Sequence, residues 1–144
     1  MGYYFASASC LVDEQIGTVG DVDTAMTTLK MSSGVLCHIN NSRKAVYGFD
    51  QRVEVFGSKG MLQTQNQRDI LLSQTTETVT DAQTPLKHFF LERYQRSFEL
   101  EVAAFIQCVK TGIKPSVNQS DGRLALEVAQ ACEVSRREGR IVKL

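Results

Sequence analysis

YGFDQRVEVFGSKGML, residues 47–62, is the stretch that decides the fold class. Tyr47–Phe56 is rich in aromatic and β-branched residues, as is typical of a β-strand. Gly57-Ser58-Lys59-Gly60 has the composition of a tight hairpin turn, and Met61–Gln65 supplies the answering strand. We expect one of the two glycines to take a positive φ, because such turns usually require it.

The residues before and after this hairpin continue the β pattern, so residues 3–80 are predicted to form a sheet. Tyr3–Cys10 is a short aromatic-rich strand. Asp21–Asn40 is predicted to be a hairpin whose turn is Ser32-Ser33-Gly34, and Ile70–Thr80 a further, more polar strand. Polar alternation throughout favours a mostly antiparallel sheet that is covered on one face.

The remainder of the chain is predicted to be helical from residue 89 to 138, with a final strand at 140–144. An apolar stripe at helical spacing begins at Phe89 and ends before Gly112. A second helix is predicted with Ser120 as N-cap, Asp121 in its first turn and Gly139 after its last turn. Strands followed by helices predict a single α+β domain, residues 1–144, with an open, mostly antiparallel mixed sheet and helices on one face.

Composition excludes several function classes. Sixteen Lys and Arg balance sixteen Asp and Glu, so no basic surface favours nucleic acid or an anionic membrane as a partner. No apolar run approaches the roughly 20 residues of a membrane span, and no signal peptide is recognisable. The four cysteines, Cys10, Cys37, Cys108 and Cys132, lack metal-ligand spacing; we expect reduced thiols in a cytoplasmic protein and no metal site, although two disulfides stay possible by count.

The chain also lacks the common catalytic motifs. It contains no G-x-G-x-x-G, P-loop, H-E-x-x-H or G-x-S-x-G. His38 lies in the middle of a predicted strand and is interpreted as a histidine of the sheet face rather than a base. His88 precedes two phenylalanines at a helix entrance and is interpreted as a surface or interface residue. We therefore find no complete catalytic constellation in these residues.

Four segments give a more specific indication. GDVDTA at 20–25 followed by residues 42–62, FLERY at 90–94 and DGRLAL at 121–126 resemble, in this order, the C-terminal domain of myo-inositol 2-dehydrogenases of the glucose–fructose oxidoreductase/inositol dehydrogenase family. The resemblance implies an oxidoreductase that passes hydride from a secondary hydroxyl of a polyol, such as myo-inositol, to NAD or NADP. In that family an N-terminal Rossmann domain binds the cofactor.

The sequence departs from the family pattern where catalysis would require residues. It has no Rossmann half, no D-x-x-x-H and no E-K-P, since Ile113-Lys114-Pro115 is a loop after a helix. We therefore expect a fragment that has no catalytic residue of its own, binds no cofactor alone and is inactive alone.

The resemblance also implies site residues, and three of them have a structural alternative. Tyr47 is implied to contact substrate, or else packs across the sheet. Asp50 is implied to do the same, or else fixes a local bulge or pairs with Arg52. Asn41 and Arg43 are implied to help orient the substrate. Arg93 and Tyr94 are implied to contact NAD, Tyr94 being alternatively part of the apolar helix stripe.

The open sheet face is expected to be an interface between copies of the chain. The predicted strands have apolar residues at both even and odd positions, such as Met26 and Leu29, so apolar side chains lie on both faces of the sheet. On a monomer the uncovered face would expose a large apolar patch. Family enzymes associate sheet to sheet, which implies a homodimer or homotetramer. The alternative function is a stand-alone, non-catalytic interaction domain derived from the same family.

Overall fold

The computed structural model describes residues 4–10 and 13–144, which form two compact units. The terminal unit comprises the described parts of Met1–Lys44 together with Ser116–Leu144, and the central unit comprises Ala45–Pro115. The strands and helices follow in the order β1 Tyr4–Cys10, α1 Glu14–Thr18, β2 Thr24–Lys30, β3 Leu36–Ser42, β4 Glu54–Gly57, β5 Gly60–Gln63, β6 Ser73–Gln74, β7 Ala82–Gln83, α2 Phe90–Thr111, α3 Gln119–Glu138 and β8 Val142–Lys143.

The terminal unit contains an antiparallel sheet with the strand order β3-β2-β1-β8. The predicted hairpin is confirmed, with Thr27 opposite Ile39 in the β2–β3 register. Its turn is closed by a hydrogen bond from the Met31 amide to the Val35 carbonyl at 2.8 Å, and Gly34 takes a φ of 90°. The predicted final strand is present as β8. The first predicted strand is present from Tyr4, while Tyr3 lies outside the described residues.

Helix α3 packs against β1 and β8 and covers one face of this sheet. Leu29 of β2 and Ala131 of α3 are buried against each other, and Val128, Cys132, Cys37 and Val142 surround them. Along β2, Thr27 and Leu29 are buried while Met26, Thr28 and Lys30 are exposed, which is the two-residue period of a strand covered on one side. These observations confirm the predicted α+β fold class.

The helix ends follow capping chemistry. Gly112 and Gly139, both left-handed at φ 70° and 61°, end α2 and α3 as predicted. The predicted N-cap Ser120 is wrong, because α3 begins after Asn118. The Asn118 side chain accepts from the Ser120 amide at 2.8 Å, and Asp121 Oδ2 accepts from the Asn118 amide at 2.8 Å, so a reciprocal capping box sets the helix start two residues earlier.

The central unit differs most from expectation. The strand predicted from Tyr47 is confined to Glu54–Gly57, and its partner ends at Gln63. The predicted strand Ile70–Thr80 is wrong: only Ser73–Gln74 pairs, with Ala82–Gln83. The described strands therefore form three separate sheets. The turn prediction is confirmed, since Gly60 has a φ of 141°.

Helices α1 and α2 differ from the expectation from the sequence. The short α1 was not predicted, because five residues carry no apolar period; Asp13 caps it by accepting from the Gln15 amide at 2.9 Å. The long α2 has no buried residue, and its apolar stripe is exposed.

No helix within the described part of the chain is both long and apolar enough to cross a membrane.

Candidate functional site

The Asp50 carboxylate is the centre of a hydrogen-bonded cluster in the central unit. Its two oxygens accept from Tyr47 Oη at 2.5 Å, from Arg52 Nε and Nη2 at 2.8 and 2.7 Å, and from Asn66 Nδ2 at 2.6 Å. Four donor groups thus converge on one side chain that is only 15% exposed. The pairing of Asp50 with Arg52, expected as the alternative to a substrate contact, is present.

This environment determines the charge state of the cluster. The Arg52 guanidinium and then the Tyr47 hydroxyl, both bonded to Asp50, hold the pKa of that carboxyl well below its usual range. In turn the bond to Asp50 raises the pKa of the Tyr47 phenol, because the phenolate would face a carboxylate. The Tyr47 phenol is therefore bonded to an ionised carboxylate that disfavours the loss of its proton.

The backbone around Asp50 is held by side chains rather than by a strand ladder. Gly48 is buried with a φ of 132°, and the next amide, of Phe49, donates to the Lys87 carbonyl at 2.8 Å. The Gln51 amide donates to Asn66 Oδ1 at 2.8 Å, so Asn66 links the backbone to the carboxylate. These bonds explain why the predicted strand does not begin at Tyr47.

The first turns of α2 contact the same cluster. Tyr94 Oη donates to Gln51 Oε1, and the Tyr94 ring meets Phe49 edge-on at 5.5 Å between centroids. Tyr94 is half-buried and also contacts Phe98 one turn on. The structure therefore brings Tyr47, Asp50 and Tyr94 into one connected group through Gln51 and Phe49.

Arg93 precedes Tyr94 and has a different environment. Its guanidinium carbon lies 5.8 Å from the centroid of the Tyr94 ring. Its Nε is buried and has no hydrogen-bond acceptor among the described residues. An open cavity of about 350 Å³ lies at this position, lined by Gln67, Lys87, Glu92, Arg93, Gln95, Arg96, Ser97 and Glu99.

Asn41 and Arg43 belong to the terminal unit. Asn41 is exposed near the end of β3, where it pairs with Ala25. The Arg43 guanidinium binds Asp21 Oδ2 at 2.7 Å, and its amide donates to the Asp23 carbonyl at 2.8 Å. The side chain of Arg43 thus already has an ionic partner.

The remaining chemistry-bearing residues have structural roles. His38 forms hydrogen bonds with Thr28 Oγ1 at 3.2 Å and Asn40 Oδ1 at 3.0 Å on the exposed sheet face, which confirms its interpretation as a sheet-face residue. Cys37, Cys108 and Cys132 are free thiols. Among residues 4–10 and 13–144, no group of three or more His, Cys, Asp or Glu side chains is placed to hold a metal ion.

Asn66 and Gln51 were not identified from the sequence as members of the cluster. Gln51 lies in the quoted run beside Asp50, but an amide between two charged residues has no distinctive pattern. Asn66 contacts Asp50 across 16 residues, and no local spacing signals such a contact.

Comparison with known proteins assigns the family. The sequence profile described as oxidoreductase family, C-terminal alpha/beta domain, matches residues 5–144. The chain is 49% identical to the myo-inositol 2-dehydrogenase of Thermotoga maritima over 97% of its own length, but covers only 42% of that relative. It is 33% identical, over 87% of its length and 36% of the relative, to scyllo-inositol 2-dehydrogenase (NAD(+)) of Bacillus subtilis.

A solved structure agrees. A myo-inositol dehydrogenase from Corynebacterium glutamicum superposes with a TM-score of 0.94 at 38% identity, over 99% of this chain and 43% of that chain. The chain thus spans about two fifths of the length of the relatives that it matches. It belongs to the Gfo/Idh/MocA oxidoreductase family, and residues 5–144 match the C-terminal α/β domain of that family.

Proposed function

We propose that residues 1–144 act as the substrate-side and oligomerisation domain of an NAD(P)-dependent oxidoreductase that oxidises a secondary hydroxyl of a polyol such as myo-inositol. The family assignment and the inositol dehydrogenases among the relatives support this proposal. The chain covers only part of each relative, so the activity is proposed for a longer protein in which this domain is joined to a cofactor-binding half.

The observation that carries the proposal is the orientation of Tyr47 by Asp50. The phenol donates its only proton to Asp50 Oδ2, which leaves the oxygen lone pairs to accept a hydrogen bond from a substrate hydroxyl. The side chain is 56% exposed, so a ligand can reach it. Since Asp50 is saturated by protein donors, we assign it the role of positioning Tyr47 rather than a direct contact. This assignment revises the expectation that Asp50 binds substrate.

Asn41 and Arg43 are proposed as further polar contacts to substrate hydroxyls. An exposed amide and an exposed guanidinium both suit a polyol, whose hydroxyls donate and accept. The bond to Asp21 holds the Arg43 side chain in place. Its other N–H groups would donate to the ligand without a change of rotamer.

NAD or NADP is the cofactor that this reaction requires, and it would supply the hydride acceptor. Residues at the start of α2 fit such a group, because the buried Arg93 Nε has no acceptor and NAD carries oxyanions. The Arg93 guanidinium lies over the face of the Tyr94 ring, with its carbon 5.8 Å from the ring centroid. We propose Arg93 and Tyr94 as the residues of this domain that face the cofactor.

The outward sheet face is proposed to join copies of the chain in the cytoplasm. Met26 and Leu36 lie on that face, and they are 53% and 70% exposed. Burying such side chains against a second sheet would stabilise the assembly by roughly 25 cal/mol for each Å² of apolar surface removed from water. Lys30 and His38 on the same face would give the interface a polar component.

The test measures NADH formation by two proteins. The 144-residue chain alone is expected to form none from NAD and myo-inositol, because its sequence lacks the glycine-rich loop and the D-x-x-x-H and E-K-P residues that would hold and activate the reactants. A chimera in which residues 5–144 replace the matching part of the Thermotoga enzyme is expected to form NADH.

Within the chimera, Tyr47→Phe is expected to raise the KM for myo-inositol, since a polyol hydroxyl loses its acceptor. The matched control is Arg123→Gln, which removes an exposed ion pair with Glu127 on α3. An inactive but folded chimera, or an unchanged KM for the Tyr47 variant, would contradict the proposal.

A further inference from the structure

Asn66 bonds to two successive residues of the cluster around Asp50. Its Nδ2 donates to Asp50 Oδ1 at 2.6 Å, and its Oδ1 accepts from the Gln51 backbone amide at 2.8 Å. A backbone amide can only donate and an ionised carboxylate can only accept, so one side chain must supply both an acceptor and a donor here. Asparagine supplies both, whereas an aspartate of the same length would place a second carboxylate against Asp50.

The segment that carries Asn66 is itself held on both sides. The Thr64 amide donates to the Val53 carbonyl at 2.8 Å, and the Lys87 amide donates to the Gln67 carbonyl at 3.1 Å. Asn66 lies between these two bonds along the chain and is half-buried. Its side chain therefore extends from a backbone that is fixed two residues before it and one residue after it.

The first bond of Asn66 fixes the plane of the Asp50 carboxylate. Arg52 reaches Oδ1 through Nε and Oδ2 through Nη2, but the Arg52 side chain is 59% exposed. An exposed arginine keeps rotamer freedom and can turn together with the carboxylate, so this pair alone does not orient the two oxygens. Asn66 holds Oδ1, which directs Oδ2 toward the Tyr47 hydroxyl at 2.5 Å. The direction in which Tyr47 presents its oxygen to a ligand therefore depends on Asn66.

The second bond of Asn66 fixes Gln51. It holds the backbone of Gln51 in the position from which the side-chain Oε1 accepts from Tyr94 Oη. The edge-on contact of the Tyr94 ring with Phe49 is apolar and leaves the hydroxyl to be placed by Gln51. Asn66 thus reaches the Tyr94 phenol through one intervening residue.

We propose that Asn66 is a positioning residue for both sides of the candidate site. Through Asp50 it holds Tyr47 toward the polyol. Through Gln51 it holds Tyr94 toward the nicotinamide cofactor. What the two phenols face rests on the proposed function, while the bonds that join them to Asn66 belong to this chain. One amide therefore sets the affinity for substrate and cofactor together.

Steady-state kinetics of the chimera separate the two bonds. Asn66→Ala is expected to raise the KM for myo-inositol and the KM for NAD, each about three- to tenfold, the loss that corresponds to one hydrogen bond. The kcat is expected to stay within about twofold, because binding loses contacts that are equal in the ground and transition states. Tyr47→Phe is expected to raise only the KM for myo-inositol, and Gln51→Ala only the KM for NAD.

A double variant tests whether Asn66 acts through the phenol. Tyr47→Phe combined with Asn66→Ala is expected to have the myo-inositol KM of Tyr47→Phe alone, because the second change removes support from a hydroxyl that is already absent. Multiplied effects of the two changes would show that Asn66 influences substrate binding by another route.

Thr64→Ala is the matched control. Thr64 Oγ1 accepts from the Val53 backbone amide at 2.9 Å, so this variant also removes a side-chain bond to a backbone amide of the same unit, but one that lies outside the Asp50–Gln51 pair. Both KM values are expected to stay within about twofold of those of the unmodified chimera. Circular dichroism verifies that each variant is folded.

A measurement on the 144-residue chain requires neither activity nor a variant of Asn66. The Nδ2–H signals of Asn66 in the ¹⁵N-labelled chain are followed by NMR. They are expected to shift in Tyr47→Phe and in Tyr94→Phe, because each phenol is joined to Asn66 through one residue. In Arg123→Gln, which removes an ion pair on α3, they are expected not to shift.

Two outcomes overturn the inference. If Asn66→Ala fails to raise both KM values beyond those of the Thr64→Ala control, Asn66 does not serve both sides of the site. If the Asn66 signals respond to neither phenol, the connection does not exist in solution. An inactive chimera contradicts the proposed function and leaves the NMR measurement to decide whether Asn66 is joined to the two phenols.

Discussion

Replacing Gly48 by alanine is expected to be the most destabilising small change in the central unit. A β-carbon at this position would lie 2.6 Å from Leu86 Cβ and 3.1 Å from the Lys87 carbonyl oxygen, on a backbone with a φ of 132°. The contact with Leu86 is shorter than real Cβ atoms show, so the two segments must separate. The bond from the Phe49 amide to the same Lys87 carbonyl, 2.8 Å, would then be stretched.

Three terms determine the magnitude. The unfavourable backbone costs about 1–3 kcal/mol, and forcing an extra methyl into a packed site costs about 1–3 kcal/mol. Alanine also restricts the unfolded chain more than glycine does, and this effect alone raises the free energy of unfolding by about 0.4–1 kcal/mol. The net loss in the free energy of unfolding is therefore about 3 kcal/mol.

Gly60→Ala is the matched control, because Gly60 lies in the same unit, has a φ of 141° and has no atom within 4 Å of its would-be β-carbon. It retains the backbone strain and lacks the clash, so a loss of about 1 kcal/mol is expected. Urea denaturation followed by circular dichroism at 222 nm measures both variants. If Gly48→Ala costs no more than Gly60→Ala, the close approach to Leu86 does not exist in solution.

Three further outcomes are expected. Gly60→Val should lower the free energy of unfolding by more than ~1 kcal/mol, because a β-branched residue is strained at positive φ; a neutral effect in denaturant titrations would show that the turn is misassigned. Asp50 has a lowered pKa in the folded state, so its stabilising contribution is complete above the unfolded pKa of about 3.9 and disappears as the pH falls below it. Asp50→Asn should therefore melt lower than the wild type at pH 7, with the gap narrowing below about pH 4; a gap independent of pH would refute the ionic role. Sedimentation equilibrium should show an oligomer that the double variant Met26→Lys, Leu36→Lys dissociates, and a monomeric wild type at high micromolar concentration would exclude the sheet-face interface.

Local patterns predicted the terminal unit and the long helices well. The alternation of β2 and β3 determines which side chains meet α3, and Gly112 and Gly139 stop their helices because only glycine takes the left-handed conformation freely. The start of α3 was misplaced for a physical reason: the capping box uses Asn118 and Asp121, which outcompete a lone serine between them.

The central unit was harder to predict because side chains satisfy its backbone. The Gln51 amide is bonded to Asn66, and the Val53 amide is bonded to Thr64 Oγ1 at 2.9 Å. An alternating sequence cannot reveal whether an amide will bond to a neighbouring strand or to a distant side chain. The segment after Ile70 likewise forms a turn, in which the Thr76 amide donates to the Val79 carbonyl at 2.8 Å.

The candidate site was predicted in part for the same reason. Tyr47, Asp50 and Arg52 are close in sequence, so their cluster could be expected from residue types alone. The Asn66 and Tyr94 contacts span 16 and 43 residues, and only the fold brings such partners together.

The pairing of β1 with β8 has a consequence for how the protein forms during translation. Phe5 lies opposite Val142, so the two paired strands are separated by most of this sequence. The β1–β2–β3 meander can pair as soon as Ser42 has left the ribosome, but the outer edge of β1 does not pair with β8 until α3 and β8 have emerged. During synthesis of the intervening hundred or so residues, that edge is open to pairing with another nascent chain.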